Sequence, residues 1–511
     1  VLARKIGSSL GALDVETAAH RVGLAYIGML PRAHRAAHGV YYTPPLLGAR
    51  LIDRATNAGV DWVTARVLDP ACGGGAFLAP VARRILDALG DCEPRILLQN
   101  VAQRLRGYEI DPFAAWLSQV ALDAVLLPVT RACGRRLPCL VTVCDALRSA
   151  PPDDPFDLVI GNPPYARVRL DAAERRRFER SLFGHANLYG LFTDAALRHT
   201  KPGGVVAYVT PTSFLAGEYS KKLRALLRRD APPFSIDFVA ARDGVFDGVL
   251  QETLLATYRR GARVGCVHVH EIAAAGESAF SFAAAGSVVP GADPSGPWIL
   301  PRNRGQATLV ARLAKMPHRL SDWGYTVNTG PLVWNRYKSQ LAKRPARDRY
   351  PIIWAEAVTP DGRFAWRAER RDHVPYCKIR PGDEWMMVRT ACVLLQRTTS
   401  KEQQRRLIAA PLPAAFVARH GAVIVENHLN MIRPIGTNPL VSHDVLAAFL
   451  NSGAADRAFR CVSGSVAVSA YELQSLPLPP PGELETLSRL VASRATSAAI
   501  DAACERLYGE R

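Results

Sequence analysis

The sequence predicts an α/β fold, a doubly wound sheet, followed by a separate C-terminal α+β part. Three observations carry this. Between about residues 40 and 260, short apolar runs alternate with spacers long enough for crossover helices. After residue 300 that rhythm stops, and Trp, Tyr and Arg interleave instead. The chain has 511 residues, which at about 150 per domain allows two to four domains. A hydrophobic content of 48% with 22% charged residues is that of an ordinary globular chain, and excludes disordered or collagen-like classes.

Residues 1–38 read as an N-terminal helical segment, with apolar positions at Leu10, Leu13, Ala18, Val22, Leu24 and Ile27. The α/β domain is placed at 39–262. Its predicted strands are 66–69, 105–110, 140–144, 156–161, 205–210, 236–240 and 253–258, with one Arg/Leu-rich helix over about 79–105. Residues 263–300 are rich in Ala, Gly, Ser and Pro and read as a linker with one strand, 264–272. Residues 301–511 form the second domain.

The net charge is +18, divided as +8 before residue 260 and +10 after it, so the excess is not a detachable tail. A polyanionic partner follows, nucleic acid or an anionic membrane. Only nine of the 64 basic residues are Lys, so part of the imbalance reflects Arg-rich composition. The ten cysteines contain no C-x-x-C pair, which argues against a zinc ribbon or a dithiol redox site. No apolar run reaches the roughly 18 residues of a spanning helix, and no signal-peptide pattern opens the chain. A cytoplasmic protein without a membrane partner or a metal is expected.

Chemistry concentrates at the ends of the predicted strands. Val67-Leu68-Asp69-Pro70-Ala71-Cys72-Gly73-Gly74-Gly75 is a strand ending in an acid, then a glycine turn before a helix. Gly73 and Gly75 let the backbone approach a ligand at the strand's carboxyl end. The loop lacks G-x-G-x-x-G and G-K-[ST], which weakens dinucleotide and P-loop readings. Tyr108-Glu109-Ile110-Asp111 ends the second strand in an acid suited to ribose hydroxyls. Cys144-Asp145-Ala146 ends the third in an acid suited to an adenine amino group. The fourth delivers Asn162-Pro163-Pro164-Tyr165. The asparagine oxygen and the Pro163 carbonyl are two acceptors for a planar exocyclic amine, and Tyr165 offers a stacking face. The prolines cannot donate backbone hydrogens and stiffen the loop.

These motifs, in this order, resemble the S-adenosylmethionine-dependent N6-adenine DNA methyltransferases of the γ group, TaqI-like. Gly39-Val40-Tyr41-Tyr42-Thr43-Pro44-Pro45 matches the segment that precedes the glycine loop in that group. The resemblance is strong over about 39–260. It implies the class I methyltransferase fold followed by a target recognition domain. It also implies that Tyr42, Thr43 and Pro44 lie at the methionine end of S-adenosylmethionine, and that Asp69, Ala71, Gly73 and Gly75 line the cofactor. Glu109 with Ile110 would take the ribose, and Asp145 with Ala146 the adenine. Asn162, Pro163, Pro164 and Tyr165 would hold a target adenine flipped out of duplex DNA, with Phe246 a second stacking face. The implied enzyme acts as a monomer, with a cognate restriction endonuclease encoded separately. Weaker likeness extends through Val327-Asn328-Thr329-Gly330, Gln396-Arg397-Thr398-Thr399 and Ser463-Gly464-Ser465-Val466.

Arg167, Arg169, Arg175 and Arg176 follow the Asn162–Tyr165 motif and are candidates for phosphate contacts, as are Arg336, Lys338 and Arg397 further on. Competing readings are weaker. Pro138-Cys139 with Glu426-Asn427 imitates a cytosine-C5 methyltransferase, but Cys139 begins a strand that already ends in Asp145. His268, His270 and Glu271 imitate metal ligands, although period-two alternation in a strand explains them. His34 and His38 lack the glutamate of a zincin. The main functional alternatives are a protein glutamine-N5 methyltransferase, which also uses Asn-Pro-Pro-Tyr, and a partner-dependent DNA-binding component of a defence complex. The long basic C-terminal half argues against the first.

Overall fold

A computed structural model describes residues 10–31, 42–239, 252–274, 280–368, 373–398, 405–465 and 467–509. Contacts divide the chain into two units, Val1–Phe214 with Tyr219–Gly296 and Arg302–Arg304, and Leu215–Glu218 with Pro297–Pro301 and Gly305–Arg511.

The first unit carries strands β1 (Val67–Asp69), β2 (Leu105–Glu109), β3 (Val141–Val143), β4 (Phe156–Gly161), β5 (Arg167–Val168), β6 (Ala186–Asn187), β7 (Thr200–Pro211), β8 (Pro233–Val239), β9 (Thr253–Arg259), β10 (Val267–Ala274) and β11 (Phe280–Val288). Nine of them form one sheet in the order β11-β10-β8-β9-β7-β4-β1-β2-β3, while β5 and β6 pair with each other. Strands β3, β2, β1, β4 and β7 run parallel, and β9 lies antiparallel between β7 and β8. The chain leaves β1 towards β2 and β3, then returns to β4 on the other side. Such a reversal opens a crevice at the carboxyl ends of β1 and β4.

Burial explains the assignment. Val67, Leu68, Leu158, Val159 and Ile160 are almost fully inaccessible, as continuous apolar runs in a parallel sheet covered on both faces should be. The helix Leu78–Leu89 buries Leu78, Val81, Ala82 and Ile85, while Arg83 and Asp87 stay exposed. Each fully buried aliphatic side chain of this kind contributes about 1.5–3 kcal/mol.

Three sequence expectations need correction. The single helix over 79–105 is two, Leu78–Leu89 and Pro94–Arg104; Gly90 ends the first at φ +58° and Pro94 starts the second. The expected linker 263–300 carries its one expected strand as β10, near 264–272, but also a second, β11, paired antiparallel with it at the sheet edge. Val267, Val269 and Ile272 are buried there, and the small residues of Phe280–Val288, which read as linker, are strand residues. The predicted α/β boundary at 262 therefore falls too early, since the first unit continues to Gly296.

The second unit is α+β. One antiparallel sheet joins Tyr325–Thr329, Leu429–Pro434, Cys392–Gln396 and Ala409–Leu412. Another joins Leu341–Ala342, Tyr376–Lys378, Arg349–Ile353, Val423–Val425 and Met387–Val388. Helices His443–Leu450, Gly453–Val462, Glu485–Ala492 and Ser497–Leu507 follow. Among the described residues no single helix is long and apolar enough to cross a membrane.

Candidate active site

Asp69 closes β1 with no exposed surface. Its Oδ1 accepts from Ala71 N at 3.1 Å. Its Oδ2 is buried with no hydrogen-bond partner among the described residues, and burial holds the carboxyl well above the usual range. A Cβ on Gly161, the last residue of β4, would stand 2.7 Å from Asp69 Oδ1. Only glycine lets the two strand ends meet so closely. Beyond Asp69 the chain turns through Gly73 and Gly75, at φ +50° and +87°, which other residues rarely adopt.

Glu109 ties this loop to β2. Its Oε2 accepts from Gly73 N at 2.8 Å, and its Oε1 accepts from Ile110 N and Asp111 N at 2.8 and 2.9 Å. Burial pushes its carboxyl up, against the lowering effect of these three backbone donors. Ser118 Oγ donates to Gly73 O at 2.8 Å. Asp145 lies just past β3, where its Oδ1 accepts from Leu147 N at 3.0 Å; Ala146 is buried and Ile110 exposed. The three acids and the glycine loop thus share one sheet edge.

The N-terminal helix reaches this edge too, which sequence reasoning missed. A Cβ on Gly23, in the helix Val15–Met29, would stand 2.2 Å from the Tyr42 ring, and one on Gly73 only 2.8 Å from it. Tyr42 is therefore clasped between helix and loop. Its hydroxyl is buried without a partner among the described residues, and burial pushes its pKa up. A small cavity beside it is lined by Glu16, His20, Thr43, Gly74 and Gly75. Further along the helix, Tyr26 OH donates to Asp111 Oδ2 at 2.5 Å, and Asp111 caps the helix Pro112–Val125. A glycine inside a helix costs about 1 kcal/mol relative to alanine, and Gly23 was the available signal.

Past β4, Asn162 Nδ2 donates to Thr43 Oγ1 at 3.1 Å, and Tyr165 OH donates to Asn162 Oδ1 at 2.6 Å. The Tyr165 ring stands edge-on to Tyr189, centroids 6.4 Å apart, and burial pushes its hydroxyl pKa up. Pro163 is buried, with Pro164 half-buried. The β5–β6 ribbon, with Arg167 opposite Asn187, follows at once and rests on the Phe178, Ala186 and Leu191 cluster.

Arg167, Arg169, Arg175 and Arg176 are all exposed; Arg175 also donates to Gly184 O at 3.2 Å. In the second unit Arg336 and Lys338 are exposed, while their neighbours Trp334 and Tyr337 pack onto a core cluster. The aromatic residues of that stretch thus build core. Arg397 is half-buried, its Nη1 donating to Asn427 O at 3.3 Å. Phe246 and Tyr41 lie outside the described residues. His270 faces Asp237 at 3.2 Å and His268 faces Ser287. Among the described residues no cluster of three metal-ligating side chains occurs. Cys139 precedes β3 at its amino end, away from the acid edge.

A sheet reversing between β1 and β4, a glycine loop after β1 and acids ending β1 and β2, with a third just past β3, define the class I S-adenosylmethionine-dependent methyltransferase fold, and S-adenosylmethionine is its cofactor. More particularly, residues 148–246 match the family described as Eco57I restriction-modification methylase. The chain is 25% identical over 343 residues to the type II methyltransferase M.PstI of Providencia stuartii, covering 66% of this chain and 67% of that one. It is 24% identical over 345 residues to M.BsuBI of Bacillus subtilis, covering 66% and 68%. Among solved structures, the type IIL restriction-modification enzyme MmeI, in complex with DNA, superposes with a TM-score of 0.56 at 14% identity, over 96% of this chain and 78% of MmeI. The relatives of this protein are thus methyltransferases of restriction–modification systems.

Proposed function

We infer that this chain transfers a methyl group from S-adenosylmethionine to N6 of an adenine flipped out of duplex DNA. It serves as the modification enzyme of a restriction–modification system. The observation that carries this reading is the placement of Asn162-Pro163-Pro164-Tyr165 at the end of β4, beside the Gly161–Asp69 contact.

The residues present fit the cofactor. S-adenosylmethionine supplies a methyl group already activated on a sulfonium. Asp69 Oδ2, without a partner among the described residues, is an acceptor for its ammonium, and the Tyr42 hydroxyl, likewise without one among them, a donor for its carboxylate. The Thr43 backbone, rather than its hydroxyl, completes that end with Pro44, Ala71, Gly73 and Gly75. Glu109 keeps acceptor capacity for ribose hydroxyls, with Ile110 beside it. Asp145 and Ala146 take the adenine.

The Asn162 oxygen and the Pro163 carbonyl grip the N6 amine, with Pro164 stiffening the turn and Tyr165 stacking on the base. Phe246 is assigned the second stacking face. Held by the Asn162 oxygen and the Pro163 carbonyl, N6 would receive the methyl group that the cofactor supplies and release one proton to water. Catalysis is mainly positioning and electrostatics. Base flipping costs a few kcal/mol, which stacking offsets. Arg167, Arg169, Arg175, Arg176, Arg336, Lys338 and Arg397 are assigned to the DNA, with the second unit as the target recognition domain. The enzyme works in the cytoplasm as a monomer, beside a separately encoded endonuclease.

Asn162→Ala should abolish adenine methylation while S-adenosylmethionine still binds. Mapping N6-methyladenine in DNA from cells expressing the chain alone checks the substrate. Methylated glutamine in a protein, with unmodified DNA, would overturn the reading.

A further inference from the structure

Thr43 belongs to the stretch assigned above to the cofactor, yet its hydroxyl oxygen is engaged by Asn162 Nδ2 at 3.1 Å. Across the same amide, Tyr165 OH donates to Oδ1 at 2.6 Å. Thr43 is 2% exposed and precedes Pro44, the cap of the helix Pro45–Asn57. The proline ring fixes φ at that junction. The helix is in turn pinned to the sheet: Arg50 Nε and Arg54 Nε both donate to the buried Asp237 Oδ2, at 2.7 and 3.0 Å. Thr43 is therefore a rigid point.

Asn162 by itself is not. The terminal torsion of an asparagine is broad and roughly two-fold, so the amide can turn either its oxygen or its NH₂ to the crevice. An incoming exocyclic amine, itself a donor, requires the oxygen.

We propose that Thr43 is a positioning residue for methyl transfer, holding the Asn162 amide from its nitrogen side while the Tyr165 hydroxyl holds it from its oxygen side. The NH₂ is kept away from the substrate amine and the carbonyl oxygen is kept towards it. That oxygen has two lone pairs, so a bond from Tyr165 does not by itself exhaust its capacity to accept. The inference rests on the reading that Asn162 grips an adenine amine.

The test is methylation of unmethylated plasmid DNA by the full chain, with S-adenosylmethionine affinity measured alongside. Thr43→Val, which keeps the shape and loses the hydroxyl, should lower kcat by about tenfold or more. Its cofactor Kd should stay within about threefold of the parent, since the effect is on geometry rather than binding. Thr43→Ser should restore kcat. Tyr165→Phe, which keeps the stacking ring, should lower kcat by about fivefold, the worth of one hydrogen bond. Unchanged kcat with weakened cofactor binding in Thr43→Val would make Thr43 a cofactor contact and overturn the proposal. Should Thr43→Val not fold, Thr43→Ala carries the same two readings. Asn162→Ala in parallel separates the failures: full activity there overturns the adenine-grip reading itself.

Discussion

Asp69 in the first unit and Asp456 in the second are buried carboxylates handled in opposite ways. At the sheet edge of the first, Asp69 has one oxygen bonded to Ala71 N and the other buried without a protein partner among the described residues. In the second, Asp456 uses both oxygens: Oδ1 accepts from Arg406 N and Leu407 N, and Oδ2 from Arg460 Nε. Glu472 does likewise with Ser463 and Ser469, and Glu426 with the backbone and ring of His428. A buried acceptor left open costs free energy in the empty protein, and the natural reason to carry it is a ligand that closes it. Asp456 holds structure, and the open oxygen of Asp69, beside the glycine loop, marks a site; Asp237 Oδ1 is also without a hydrogen bond among the described residues, but it faces His270 at 3.2 Å.

Removing a satisfied carboxylate should be the costlier change for folding. Asp456→Ala deprives two backbone N–H groups and a guanidinium of their acceptor. It should lower unfolding free energy by about 3 kcal/mol, discounted for the partial exposure of Arg460, as read by urea denaturation. S-adenosylmethionine affinity should hold at temperatures where the variant is folded. Equal loss of cofactor binding would break the contrast.

Asp69→Asn should do the reverse. Replacing the open acceptor should weaken S-adenosylmethionine binding by about 1.5–3 kcal/mol in calorimetry, without lowering the stability of the empty protein. The sign follows from linkage. The folded pKa of Asp69 lies above its unfolded value, so its contribution to stability is complete below the unfolded pKa. That contribution is lost as pH rises through the folded value. The amide that replaces the carboxyl does not titrate, so the empty variant should gain Tm relative to the parent as pH rises. Cofactor affinity in the parent should fall as pH drops and Asp69 takes its proton.

The smallest effect belongs to single exposed arginines. Arg176→Ala should leave both stability and cofactor affinity unchanged. It should reduce the slope of log K for DNA against log salt by about 1. An unchanged slope would remove Arg176 from the phosphate contacts.

Much of the sheet was legible because buried parallel strands are short, apolar and framed by acids and glycines. Strands β1 to β4 and β9 stand within a residue or two of their expected limits. β11 was not legible: Phe280–Val288 carries three alanines and a glycine, with most of its residues partly or fully exposed. The break at Gly90–Pro94 was hidden by apolar residues on both sides. At the site, the acids and the Asn162–Tyr165 turn were legible as residue types at strand ends. Their partners were not. The hydrogen bond from Asn162 to Thr43 spans 119 positions, and no local pattern encodes a contact that the sheet alone creates. Likewise Trp334 and Tyr337 carry no mark in the sequence that they face a core.

The clasp around Tyr42 has a consequence for how such a sequence drifts over time. Gly23 and Gly73 are both kept small by one ring, although they stand far apart along the chain. At position 73 the positive φ favours glycine in any case. At position 23 the ring is the nearest obstacle among the described residues, and an alanine there would strengthen the helix once the ring is gone. Related chains should therefore change 23 and 42 in concert, with a smaller residue at 42 arriving before, never after, a larger one at 23.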